Sequence, residues 1–342
     1  MYKKTLSLFI ICCLISCLFI GCSTNDNSST DEKKQIENST DETQTSANIN
    51  IGCMKGPTAI GMIKLLSDSD NSNTQNSYNY TIAGTADEIS TGLINGSLDI
   101  AAVPSNLASV LYNKTNGEIV TVAVNTLGVL YIVETGDTIH EVSDLKGKTI
   151  YSTGQGTTPE YTLRFLLSSS GLKPDEDVTV EYKSEASEVV ATLSQNPDAV
   201  AMLPQPYVTI ALSSIENLRI ALDVTKEWEE NADGTVVTGV IVARKSFIEE
   251  NEVAFKNFLT EYEASTMYAN SNIDETATLL EEYDVFKAAI AKQAIPYCNV
   301  TYLIGNEMKD KVISYLTVLY EQNPAAIGGK LPEEGMLYIG NN

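Results

Sequence analysis

The sequence predicts an α/β protein built from two similar lobes, each a sheet flanked by helices. Three observations lead there. From Ile49 onward, short apolar strands alternate with amphipathic helical segments, the pattern of parallel sheets covered on both faces. The unit of strand, short polar or Gly/Pro loop, then helix runs once before Gly128 and restarts after it. A further long apolar strand, Val236 to Arg244, then returns the chain to the first lobe.

The elements follow in order. Ile49 to Met54 reads as a short strand ended by Gly56-Pro57-Thr58, and Ala59 to Leu66 as a helix with Ile60, Ile63 and Leu66 on one face. Tyr78 to Ile82 alternates as a strand, and Ala86 to Asn95 is a helix closed by Gly96. Ile100 to Val103 is a buried strand, then the turn Pro104-Ser105-Asn106 and a helix from Leu107 to Tyr112. Two apolar strands, Ile119 to Asn125 and Val129 to Glu134, flank Thr126-Leu127-Gly128. In the second run, Thr149 to Ser152 is a strand and Gly154 to Thr158 a Gly/Thr loop. Pro159 opens a helix to Ser169 behind a threonine N-cap, with Thr158 as the expected cap. Val178 to Tyr182, Ala199 to Met202 and Arg219 to Asp223 are strands; Ala186 to Ser194 and Tyr207 to Leu212 are helices, the latter after Pro204-Gln205-Pro206. Asp233-Gly234 reads as a hairpin turn into Val236 to Arg244, and the chain is then essentially helical to about Tyr320.

Charge narrows the function. The 342-residue chain carries a formal net charge of −23, a poor surface for nucleic acid, which needs clustered Lys and Arg. A lone histidine, His140, sits in a polar stretch that reads as a solvated loop. Beyond the first 22 residues only Cys53 and Cys298 remain, and two buried, unpaired thiols are the simpler reading of them than a disulfide. One His and two separated Cys make no usual Zn, Cu or Fe site, and a Ser/His/Asp set has only that one His to draw on, so no metal, cofactor or catalytic residue is expected. Gly154-x-Gly156 resembles half of a dinucleotide fingerprint, but Pro159 stands where its third glycine belongs.

The N-terminal segment has its own logic. Lys3 and Lys4 precede an apolar run, Leu6 to Ile20, too short to cross a bilayer comfortably. Leu18-Phe19-Ile20-Gly21-Cys22 resembles a lipobox, which implies lipidation at Cys22 and work on the extracytoplasmic face of the membrane. Ser23 to Asn48 is a polar stretch without aromatic residues, expected to be a disordered tether with a reach of about 30 Å.

Four segments carry a family resemblance. They are Gly56-Pro57-Thr58, the run Asn95 to Ser105, Asp144-Leu-Lys-Gly-Lys-Thr149 leading to Gly154-Gln-Gly-Thr-Thr-Pro159, and Asp198 to Pro206. On these, the chain from about Ile49 to Tyr320 resembles the extracytoplasmic solute-binding proteins of ABC importers, nearest their nitrate/sulfonate/taurine and thiamine-pyrimidine branch. The resemblance implies a type II periplasmic-binding-protein fold: lobe 1 from residues 49–127 plus 236–342, lobe 2 from 128–235, and a two-strand hinge. It implies closure on a small solute that is sulfonate-, carboxylate- or pyrimidine-like, delivery to a membrane permease, and a monomer.

Ligands in such sheets sit beyond the carboxyl ends of strands, near helix N-termini. The candidate site residues are therefore Gly56, Pro57 and Thr58; Pro104, Ser105 and Asn106; Thr126; Gln155, Gly156, Thr157, Thr158 and Glu160; and Gln205. Each is also what an ordinary turn or cap would look like. No Arg lies in these loops and Lys55 is the one nearby cation, so a neutral or zwitterionic heterocycle stays open beside an anion. Trp228 is either an aromatic wall of the pocket or a wedge between lobes, and Tyr131, Tyr161 and Tyr207 share that ambiguity. Two other functions remain: an extracellular enzyme on the same fold, and a sensory or adhesion lipoprotein.

Overall fold

The computed structural model describes residues 46–340 apart from Pro197. The proposed lipid site at Cys22 and almost all of the tether lie outside the described residues.

The first sheet is laid down by β1 (Asn48–Met54), buried along its centre. Gly56-Pro57 then turns the chain into α1 (Pro57–Ile60) and α2 (Ile63–Asp70). The single helix expected here is broken at Gly61. That residue lies against Ser265 and Thr266: an added Cβ would stand 3.0 Å from Thr266 Oγ1, and its carbonyl accepts from Ser265 Oγ at 2.7 Å. β2 (Ser77–Ala83), α3 (Ala86–Asn95), β3 (Ile100–Pro104), α4 (Ser105–Lys114) and β4 (Ile119–Leu127) complete the first run. β5 (Leu130–Glu134) opens the second, followed by β6 (Thr149–Ser152), α5 (Thr158–Ser169), β7 (Thr179–Tyr182), α6 (Ala186–Gln195), β8 (Val200–Pro204), α7 (Tyr207–Ser214) and β9 (Arg219–Asp223).

Beyond β9 the chain holds a helix the sequence reading lacked, α8 (Val224–Asn231), capped by the Asp223 carboxylate, which accepts from the backbone of Thr225 and Lys226. Asp233-Gly234 is thus a helix-to-strand loop rather than a hairpin turn, leading into β10 (Val237–Arg244). Then come α9 (Lys245–Glu250), α10 (Glu252–Ser271), α11 (Ile273–Glu282), α12 (Ala288–Ala294), an unforeseen four-residue strand β11 (Val300–Leu303) and α13 (Gly305–Gln322).

The strand orders are β11-β4-β10-β3-β1-β2 and β7-β6-β8-β5-β9. The expected parallel pairing holds for β1 with β2 and β3, and for β6 with β7 and β8. Both sheets are nonetheless mixed, because β5 and β10 run antiparallel to their neighbours. The reason is their origin. Each enters from the other sheet, beginning where its neighbours end: Leu130 of β5 pairs with Pro204 at the end of β8, and Gly239 near the start of β10 pairs with Pro104 at the end of β3. The carboxyl edges of the two sheets consequently face each other.

The C-terminal helices were expected to pack on the first lobe. α10 and α11 do, building one core with α2 around Phe255, Phe258 and Tyr262. α13 departs from that expectation. Its Tyr315 hydroxyl lies 2.8 Å from Thr162 on α5, and its ring stands 5.0 Å from the Trp228 indole of α8. The turn that follows α13 then accepts hydrogen bonds from Asn106, Ser109 and Asn113 on α4. This helix bridges elements of both sheets, in addition to the two strand crossings. Trp228, fully buried against Phe165 and Tyr315, is the wedge of the two roles open to it. Cys53 and Cys298 are free and buried, and burial pushes both thiols up to about 12.

Gly128 lies in the first crossing. Its φ is not left-handed; what it supplies is space, because a Cβ there would fall 1.7 Å from Thr225 Oγ1. Gly128→Ala should lower unfolding free energy in urea by about 1–3 kcal/mol, as overpacking does, and Thr225→Ala in the same chain should recover part of the loss.

Candidate functional site

Where the two strand-end edges meet they enclose a cavity of ≈ 270 Å³. The first sheet contributes Met54 at the end of β1, Lys55, Gly56, Pro57 and Thr58 after it, Ala86 at the start of α3, Pro104 at the end of β3, and Thr238 on β10. The second contributes Leu130 on β5, Thr157, Thr158 and Pro159 at the start of α5, and Pro204 at the end of β8, with Val129 from the crossing. A wider, open groove of ≈ 480 Å³ lies outside the rim around Asp70, Tyr80 and Tyr283. The smaller cavity is the better candidate because loops of both sheets converge on it.

Of the residues singled out in the sequence, Gly56, Pro57, Thr58, Pro104, Thr157 and Thr158 line this cavity. The others have different surroundings. Ser105 donates to the Val237 carbonyl at 2.5 Å, tying α4 to β10. Thr126 is fully buried within β4. Gln155 and Gly156 are exposed on the outer turn of their loop. Glu160 braces that loop: one carboxylate oxygen accepts from Gly156 N at 2.7 Å, the other from Arg164 Nε at 2.7 Å. Gln205, 1% exposed, accepts from Thr209 Oγ1 at 2.9 Å and holds the start of α7. Tyr131 donates to the Tyr297 carbonyl and Tyr161 accepts from Asn323, while Tyr207 packs in the core beside β8; none of the three lines the cavity.

One expectation is corrected here. Thr158 does not cap α5; the N-cap position belongs to Thr157, whose hydroxyl donates to the Gly154 carbonyl at 2.7 Å. The Thr158 hydroxyl instead donates to Asn106 Oδ1 at 3.0 Å, a buried bond from α5 of the second run to α4 of the first. It closes one side of the cavity.

The lining is apolar where an anion site would be polar. Four prolines line it, Pro104 and Pro204 as the last residues of β3 and β8, and Pro57 and Pro159 from the helices that follow β1 and β6. Pro57 and Pro159 stand in the first turns of α1 and α5, where a helix otherwise offers free N–H groups, and proline has none. Lys55 is the one charged lining residue among those described, and its Nζ is 2.5 Å from Asp284 Oδ2 at the rim. Met54, Ala86, Val129, Leu130 and Thr238 were missing from the site read in the sequence, as were Lys55, Pro159 and Pro204, the neighbours of residues it did include. Val129 and Thr238 belong to the crossing segments, and nothing in a local pattern says that a crossing strand begins inside a pocket.

The comparisons with known proteins agree with this architecture. A family model described as "ABC transporter, phosphonate, periplasmic substrate-binding protein" matches residues 71–293, more than half of the chain. The chain belongs to this family. Among solved structures it is similar to an ABC transporter protein from Parabacteroides distasonis, with 27% identity, TM-score 0.70, and coverage of 84% of this chain and 98% of that one. It also shares its fold with the periplasmic aliphatic sulphonate binding protein of Escherichia coli, at 19% identity, TM-score 0.65, and coverage of 84% and 92%. The periplasmic nitrate-binding protein of Synechocystis PCC 6803 matches at 14% identity and TM-score 0.53, covering 69% and 66%. A sequence search of curated proteins gives no match. The type II binding-protein fold expected from the resemblance is present, and the protein is a substrate-binding component of an ABC importer.

If Thr158 bridges rather than caps, Thr158→Val should cost about 1 kcal/mol of stability from the lost buried hydrogen bond. The loss should vanish in an Asn106→Ala background, a coupling that a helix cap would not show in urea melts.

Proposed function

We propose that this substrate-binding protein captures a small, neutral organic solute with an apolar body between its two sheets and hands it to a membrane permease. The observation behind this is the cavity wall: four prolines line it, in α1 and α5 and at the ends of β3 and β8, and no arginine among the described residues does. A phosphonate or sulfonate brought into such a space loses its hydration and needs several charge-assisted bonds in return. Helix N-termini offset part of that loss, each contributing about 0.3–1 kcal/mol at exposed positions. A neutral heterocycle needs far less compensation and gains from contact with the rings. Binding without turnover is the reading for this cleft, with the protein acting as a monomer.

A thermal-shift panel of neutral heterocycles, carboxylates, sulfonates and phosphonates tests the solute class. A cognate solute at 100 times its Kd adds about 2.7 kcal/mol of stability. Neutral heterocycles should give the largest shifts; a dianionic phosphonate at the head of the panel would refute the proposal.

The site of action is proposed as the outer face of the cell membrane, through lipid on Cys22. No helix among the described residues is long and apolar enough to cross a membrane. Cys22→Ser should move the folded protein from the membrane fraction to the medium or soluble fraction, and retention on the membrane would exclude the anchor.

A further inference from the structure

We infer that Asp284 is a specificity-determining residue of the cleft: it draws the Lys55 ammonium out to the rim and so biases the cavity toward neutral solutes and against anions. The inference rests on the cleft being the site of a neutral solute, as proposed above. Lys55 stands between two spaces, lining both the cavity and the open groove outside its rim. Asp284 lines the groove and not the cavity. The 2.5 Å bond from Lys55 Nζ to Asp284 Oδ2 therefore turns the head of the cavity's one charged lining residue, among those described, toward the groove.

Asp284 reaches this position from far along the chain. It sits in the turn after α11, where its backbone N–H donates to the Glu281 carbonyl at 3.1 Å. Its φ of 54° is left-handed, a conformation Asp and Asn tolerate better than most residues. The hydrogen bond from Lys55 holds the Asp284 carboxyl below the usual carboxylate range, so it is ionised at neutral pH. The groove holds two further carboxylates, Asp70 and Glu282, and Asp70 already accepts from the Tyr80 and Tyr283 hydroxyls at 3.1 and 2.5 Å. An anion in the cavity must compete with Asp284 for Lys55, with like charges close by. A neutral solute leaves the pair intact. The two side chains are 41% and 91% exposed, so the preference set by this pair is a few-fold bias. Without Asp284, the flexible Lys55 stem is free to turn its ammonium into the cavity it already lines.

Isothermal titration of the full chain, purified in detergent and at low salt, tests this with 4-pyrimidinone as the neutral probe and methanesulfonate, read by displacement, as the anion. The wild type should bind 4-pyrimidinone the more tightly. Asp284→Asn, which keeps shape and suits the left-handed φ, should tighten methanesulfonate about two- to fivefold and leave 4-pyrimidinone within about twofold. Adding Lys55→Met should abolish the gain, which a mere loss of negative charge at the rim would not require. If the wild type prefers 4-pyrimidinone and Asp284→Asn, melting like the wild type, leaves methanesulfonate unchanged, the inference fails and the neutral-solute reading stands. A gain that survives Lys55→Met has the same consequence. A wild type that prefers methanesulfonate, or binds neither probe, overturns that reading and the inference with it.

Discussion

Two short crossings organise this molecule. Only Gly128 and Val129 separate the end of β4 from the start of β5, so the second sheet must begin where the first one stops. β10 makes the reverse passage and enters the first sheet between β3 and β4, starting beside Pro104 and Leu127. Because both crossings lie at the carboxyl edges, the loops after β1, β3, β6 and β8 are brought together from far apart in sequence. The cavity is a consequence of that topology. The close approach of Gly128 to Thr225 adds a local demand: the first crossing and α8 are packed too tightly for a side chain between them.

The second organising feature is α13. A two-lobed protein tied only by two strands would leave its lobes otherwise independent. Here the Trp228, Phe165 and Tyr315 rings bury the face of α13 against α5 and α8, and the turn after it is tied to α4. Burying aromatic rings of this size contributes several kcal/mol. The Thr158–Asn106 bond, on the wall of the cavity, is a further tie between the two runs.

Much of this was readable in the sequence, for physical reasons that differ by element. Strands such as Ile100–Pro104 and Ile119–Leu127 are apolar runs bounded by turn residues, and burial on both faces demands that pattern. The loops at Gly56-Pro57-Thr58 and Thr157-Thr158-Pro159 were legible because helix starts have their own chemistry. The four residues of β11 were not, since Val300–Leu303 is a strand only through its pairing with β4. α8 was not legible although Asp223 gives a capping signal, because its eight residues offer only Val224 and Trp228 as buried apolar positions amid a charged run. Local pattern also placed Glu160 and Gln205 in the site, but could not show that their side chains close on their own loops. Nor could it find Thr238, whose position depends on which sheet β10 joins.

The central claim is that the two sheets close on a solute held between their strand ends. Small-angle scattering with and without a saturating solute, its binding confirmed by calorimetry, tests this most directly. The account predicts a fall in radius of gyration on binding, with the lobes themselves unchanged, as in rigid-body closure about a hinge. Superimposable curves at proven saturation would contradict it and leave a rigid, preformed pocket in its place.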